Sequence, residues 1–182
     1  MRNIGTSEIE MRSVLPNEWE KIKDSLIVLE NMTFSPSIQD SPEVLKEILA
    51  HPGSIFLIAE LSGEIIGNAF GGPIEAEIYS DIPGIKEFPH YGKGIVCYVE
   101  SIAVHPSYQE KKLGAHLLSK FLENCKEKRF QFVAGHALEG PSHHLFTKAG
   151  SKIIRYHENW YNTGKKSYAF ILPSSNDIQI VV

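Results

Sequence analysis

From Ile95 to Val104 the chain strings together β-branched and aromatic residues, and His105-Pro106 then stops the run. An eight-residue turn rich in hydrogen-bond donors follows. Beyond it Leu113, Leu117, Leu118, Phe121 and Leu122 recur at helical spacing, which predicts a helix from Leu113 to Lys128. Strand, polar turn and helix in this order read as a crossover in an α/β sheet. The first N–H groups of a helix have no partner within it, so this start, with Lys111 and Lys112 beside it, makes an anion site suited to a pyrophosphate. Gly-Lys-Ser/Thr is absent, as is Gly-x-Gly-x-x-Gly, which removes the P-loop NTPase and dinucleotide-fold readings.

The flanking sequence predicts the remaining elements. Ile9 to Val14 alternates weakly, as an edge strand does. After Pro16 and Asn17, the residues Trp19, Ile22, Leu26 and Leu29 line one face of a helix reaching Glu30. Ser41-Pro42-Glu43 starts a second helix that runs to about Ala50, with Ser as the cap, Pro in the first turn and an acid at the positive end. Ser54 to Leu61 and Ile65 to Phe70, joined through Ser62-Gly63-Glu64, form an antiparallel hairpin. Between Gly71 and Gly94 the pattern breaks at Pro73, Pro83 and Pro89, the mark of a functional or mobile loop. Phe130 to Ala137 is a strand, Ser142 to Ala149 a helix stopped by Gly150, and Lys152 to His157 and Lys166 to Leu172 are closing strands. Residues 173–182 read as a peripheral tail. No repeat or linker divides the sequence, so one α/β domain over residues 1–182 is expected, on a mixed, mostly antiparallel sheet flanked by helices.

The 18 Lys and Arg against 22 Asp and Glu leave a charge of −4, which argues against a general nucleic-acid or anionic-membrane binder. Cys97 and Cys125 are the only cysteines, too few for a disulfide scaffold and without a Cys-x-x-Cys pair for zinc. With no apolar stretch of a signal peptide or membrane span, a cytoplasmic protein is expected. His143 and His144 are neighbours on a helix and point about 100° apart, poor chelate geometry even with His136 nearby, so no metal is expected.

The central segment is similar to the acetyl-CoA-binding core of the GNAT superfamily of N-acetyltransferases. Val104-His105-Pro106-Ser107-Tyr108-Gln109 matches the family's Val-x-Pro-x-(Tyr/Phe)-(Arg/Gln) lead-in. Gln109 to Gly114 matches its Arg/Gln-x-x-Gly-x-Gly/Ala loop, except that Lys112 stands where the first Gly would be. Glu139 to Ser151 keeps the spacing of the family's Asn-x-x-Ala-x-x-x-Tyr-x-Lys-x-Gly-Phe element but carries Glu139, Ser142, Phe146 and Ser151 at four of its positions. The order of elements agrees along nearly the whole chain. The resemblance implies a GNAT fold in which backbone groups of Ile102, Ala103 and Val104 pair with the pantetheine arm of acetyl-CoA. It also implies that Gln109, Glu110, Lys111, Lys112, Leu113, Gly114 and Ala115 hold the pyrophosphate. A Lys in place of Gly adds a Cβ and a cation, and its ammonium is expected on a phosphate.

The implied reaction moves an acetyl group to a primary amine in a ternary complex. An alkylammonium of pKa about 10.4 loses its proton at a cost of roughly 4–5 kcal/mol at pH 7, whereas releasing a thiolate of pKa near 8.5 costs about 2 kcal/mol, so a base matters more than an acid. Glu100, nine residues before Gln109 and where the family often carries a Glu, is the expected base, acting through water. Backbone N–H groups near Val104 would meet the oxyanion. The family's Tyr acid falls at Phe146, a core or pantetheine-contacting residue; Tyr161, Tyr168, His144 and Cys97 are substitutes to weigh. Glu75, Glu77, Asp81 and Glu87, with Tyr79, Phe88 and Tyr91, would suit a cationic small-molecule or protein amine if the Gly71 to Gly94 stretch covers the acceptor. Trp160-Tyr161 is a second wall for that site or a surface for pairing two subunits. The alternatives are a non-catalytic CoA-binding module and transfer of a different acyl group. The acceptor's identity stays open.

Overall fold

The hairpin of β2 (Ile55–Leu61) and β3 (Glu64–Pro73) turns on Ser62 and Gly63, whose positive φ angles of 53° and 84° match the twist of a two-residue loop. This computed structural model describes residues 9–174, so the expected peripheral tail lies outside the described residues from 175 on. β1 (Ile9–Ser13) pairs antiparallel with β2 at the sheet edge, and β4 (Val96–Val104) pairs antiparallel with β3. β5 (Phe132–Leu138) lies parallel to β4, while β7 (Ser167–Pro173) and β6 (Lys152–His157) close the sheet antiparallel. The strand order is β1-β2-β3-β4-β5-β7-β6, the mixed, largely antiparallel sheet expected.

α1 (Trp19–Thr33) follows a short 3-10 turn at Pro16–Glu18, and it buries Trp19, Ile22, Leu26 and Leu29 as the spacing predicts, together with Glu30. α2 (Pro42–Ala50) starts where the Ser41 hydroxyl accepts the Val44 N–H at 3.3 Å. These helices cover one face of the sheet, packed on Phe56, Ile58 and Phe70. α3 (Leu113–Glu127) and α4 (Pro141–Lys148) cover the other, where Leu117, Leu118, Phe121 and Phe146 meet Leu57, Ala69 and Val99.

The stretch from Gly71 to Gly94 departs from the loop that its prolines announce. β3 continues through Pro73, and Ile74, Tyr79, Ile85 and Phe88 then pack with Val96, Tyr98, Ala134 and Ala169 into a third apolar cluster. The Glu75 carboxylate accepts the N–H groups of Gly92 and Gly94 at 2.9 and 3.0 Å. Arg155 of β6 donates to the Glu87 carboxylate and to the Gly84 carbonyl. The segment is a packed strap tied down at both ends, and two of its four acids hold the chain itself. Its anchors are single side chains meeting partners far away in sequence, which periodicity does not register.

Candidate active site

β4 and β5 run side by side only from Val96 opposite Phe132 to Val99 opposite Gly135. Two local devices end the pairing there. Against β3, the register of β4 shifts between Val99 and Ser101, so Glu100 is the extra residue of a bulge that bends the strand. At Gly135 a Cβ would come within 2.8 Å of Val99 Cγ1 and 3.0 Å of the Val99 carbonyl oxygen, so only glycine lets the last rung close. Past that rung, among the described residues, Ile102, Ala103 and Val104 have no strand on their β5 side. Their backbone groups form an open edge of the kind an extended arm pairs with.

This edge leads directly into the turn. The Gln109 side-chain amide donates to the Val104 carbonyl at 3.0 Å. The Lys111 ammonium donates to the Ser107 carbonyl at 2.9 Å and stands 5.1 Å from the centre of the Tyr108 ring. Glu110 and Lys112 both adopt left-handed φ, 61° and 65°, which folds the intervening amides into a concave nest. The first intrahelical bond of α3 runs from the His116 N–H to the Lys112 carbonyl at 3.1 Å. Among the described residues, the N–H groups of Glu110, Lys111, Lys112, Leu113, Gly114 and Ala115 have no acceptor. The left-handed backbone at Lys112 explains why the family's pattern puts glycine there; in this chain a Cβ-bearing residue carries the strain and brings a cation instead. The residues present therefore fit a pyrophosphate: a row of donors, a helix start, and one ammonium with no partner among the described residues.

Glu100, at the bulge, is half-buried. Its Oε2 is shut off from solvent and has no hydrogen-bond partner. Burial holds this carboxyl well above the usual carboxylate range, and the nearby charges of Asp40 and Glu30 raise it further. Burial also lifts Glu30 to about 7 and Asp40 to about 6. Glu30 and Asp40 were not among the expected site residues. The available signal was that Glu30 falls four residues after Leu26, on the apolar stripe, where an acid has no solvent to face.

A second group also went unpredicted. The Tyr98 hydroxyl and His136 Nδ1 are 2.8 Å apart, and the His136 ring stacks on Trp160 at 4.4 Å between centroids. Burial, reinforced by the neighbouring His157, pushes His136 down to about 3, so it is neutral at physiological pH. Among the described residues no group of His, Cys, Asp and Glu is arranged to hold a metal. Trp160 packs on His136 and edge-on against Tyr161, whose hydroxyl is raised by burial and then by the charges of Glu100 and Asp81. Phe146 is 5% exposed and stacks on Phe170 at 4.0 Å, inside the core. Of the substitutes for the missing acid, Cys97 is sunk in the core, His144 is exposed on α4, and Tyr168 is stacked on His143. Tyr161 is the one that lies within reach of the Glu100 charge.

The family model of the acetyltransferase (GNAT) family matches residues 19–150. The chain belongs to the GNAT family. A search of curated proteins found no match. Solved structures share the GNAT fold at low identity. The ribosomal-protein-S18-alanine N-acetyltransferase from Escherichia coli is 12% identical with a TM-score of 0.69, over 94% of this chain and 97% of that one. Arabidopsis thaliana NAA60 in complex with acetyl-CoA is 16% identical with a TM-score of 0.66, over 91% and 98%. The GphF GNAT-like decarboxylase in complex with isobutyryl-CoA is 16% identical with a TM-score of 0.69, over 91% and 100%. The open β4 edge and the amide nest of this GNAT chain both fall within the matched residues.

Proposed function

We propose that this GNAT protein is an N-acetyltransferase that moves an acetyl group from acetyl-CoA to a primary amine by direct transfer in a ternary complex. The observation that carries the reading is the continuity of one strand: β4 presents the Glu100 carboxyl with one oxygen shut off from solvent, then the unpaired edge at Ile102 to Val104, and leads into the amide nest. Acetyl-CoA supplies the acetyl group as a thioester, and its transfer forms the amide C–N bond as the C–S bond breaks and the thiol is released. The edge of Ile102, Ala103 and Val104 would bind the pantetheine arm and orient the carbonyl. The nest from Glu110 to Ala115, with Lys112, would hold the pyrophosphate. Glu100 takes the proton of the incoming ammonium through water, and a carboxyl held above its ordinary range is better matched to an amine than an exposed one. Phe146 offers no proton to the leaving thiolate, which the low cost of releasing a thiolate tolerates.

Two free buried thiols suit a reducing cytoplasm, and no helix among the described residues is long and apolar enough to cross a membrane. The test is acetyl-CoA binding by calorimetry alongside thiol release with a panel of amines. Binding with turnover on at least one amine is expected. Binding without turnover on any amine would replace the reading with a CoA-holding module, and absence of binding would remove both.

A further inference from the structure

The outer edges of the sheet are β1 and β6, and each leaves a row of backbone groups without a ladder partner. In an antiparallel pair, bonded and non-bonded residues alternate along the strand. The Val14 N–H donates to the Phe56 carbonyl at 2.9 Å, and the register runs unbroken from Ser13 opposite Leu57 to Ile9 opposite Leu61. The backbone groups of Arg12 and Glu10 therefore point to β2, and those of Ile9, Met11 and Ser13 point outward, where no other strand lies among the described residues.

Side chains alternate as well. Ile9 and Met11 pack on the core beneath α3, which puts Glu10 and Arg12 on the opposite face. There Glu10 stands directly opposite Glu60, a like-charge pair that costs stability. Arg12 is taken up by other acids: its Nε donates to Glu60 and its Nη1 to Glu18, both at 2.7 Å. Among the described residues Glu10 has no cationic partner, and Arg12 Nη2 has no acceptor.

The segment Ile9-Glu10-Met11-Arg12-Ser13 is complementary to itself. Laid antiparallel on a second copy with Met11 at the two-fold axis, Glu10 faces the partner's Arg12 and Ile9 faces the partner's Ser13, and the symmetry repeats both contacts. The outward backbone groups then form the bonded pairs, Met11 with Met11 and Ile9 with Ser13. Glu10 and Arg12 fall at the closer, non-bonded pairs, with Cα atoms about 4.5 Å apart. A groove of about 420 Å³ between β1 and α3, lined by Ile9, Met11 and Leu113 and by the polar His116, Lys120 and Glu123, adjoins the same edge. β6 offers no such match, because its Lys152 and Arg155 come without an acid and two copies would set like charges together.

We propose that β1 is a homodimer seam, where two copies of the chain join antiparallel about Met11 into one continuous sheet. The apolar linings of the two grooves meet across the axis and leave water together with the strand edges.

Sedimentation of the full chain over a range of concentrations tests the seam without any turnover, so it is decided separately from the transferase reading. A dimer is expected. Glu10→Lys places a cation against the partner's Arg12 on both sides of the axis and should raise the dimer dissociation constant by about tenfold or more, with the circular dichroism of the fold unchanged. Met11→Cys should form a covalent dimer on mild oxidation, since Cα atoms of a bonded antiparallel pair lie about 5.5 Å apart, within disulfide reach. Ile9→Cys, whose two copies would lie about 14 Å apart along the strands, should not. The natural Cys97 and Cys125 are buried and leave the assay clear. A chain that stays monomeric at every concentration overturns the seam, and so does a dimer indifferent to Glu10→Lys or one that cross-links equally through Ile9→Cys.

Discussion

Glu100 and Lys112 each break a local rule, and each can be tested alone. Because burial and then Asp40 and Glu30 raise the Glu100 carboxyl, it gains the ability to accept a proton only as pH climbs through that raised value, so the rate should climb with it. Glu100→Gln should lower kcat by about a hundredfold near neutral pH, with the gap narrowing at high pH where free amine is abundant. A pH-independent loss would mark a structural role instead. At Lys112 the left-handed backbone costs about 1 kcal/mol that glycine would not incur. Lys112→Gly should therefore raise the urea midpoint while weakening acetyl-CoA binding, and the remaining affinity should depend less on salt. Binding unchanged in calorimetry would show that the ammonium has no part in holding the anion.

The strand, turn and helix of residues 95–128 were legible because everything that shapes them is contiguous: β-formers, a proline stop, donors and a helical stripe. The bulge at Glu100 was not, since it depends on the register of β3 against β4, which no pattern within β4 alone records. The strap escaped for a related reason, because Glu75, Glu87 and Arg155 stabilise it through partners that only the fold brings near. The two glycines of this region make opposite predictions. At Gly114 a Cβ meets nothing closer than Val104 Cγ2 at 3.8 Å, so Gly114→Asp should fold normally and lose acetyl-CoA affinity by about tenfold or more through repulsion of the phosphates. Unchanged affinity would refute the nest as the pyrophosphate site. At Gly135 a Cβ collides with Val99 and Phe170, so Gly135→Ala should cost about 1–3 kcal/mol of stability in denaturant unfolding.

Across the whole molecule the two sides of the site are encoded differently. The proposed cofactor side is one run of sequence, whereas the buried polar groups outside it come from α1, the α1–α2 connection, the strap, β5 and the β6–β7 turn. That scatter is why Glu30, Asp40 and the Tyr98–His136 pair were invisible before folding. Glu30 also sets a global property. Its folded value of about 7 lies above its ordinary 4.5, so the stability it contributes is complete below about 4.5 and is lost as pH rises through about 7. Glu30→Gln should remove that decline and leave the variant about 1–3 kcal/mol more stable than the natural sequence at pH 8, with little difference at pH 4.5, as urea titrations at the two pH values would show. The parting of β4 and β5 has a separate cost at this scale. It leaves raw strand edges in the middle of a sheet, and raw edges recruit strands from other molecules. A CoA arm laid into the gap would shield them, so turbidity on heating should fall and the melting temperature should rise with CoA concentration. In a cell, the supply of the cofactor would then govern how long each copy of the chain escapes aggregation.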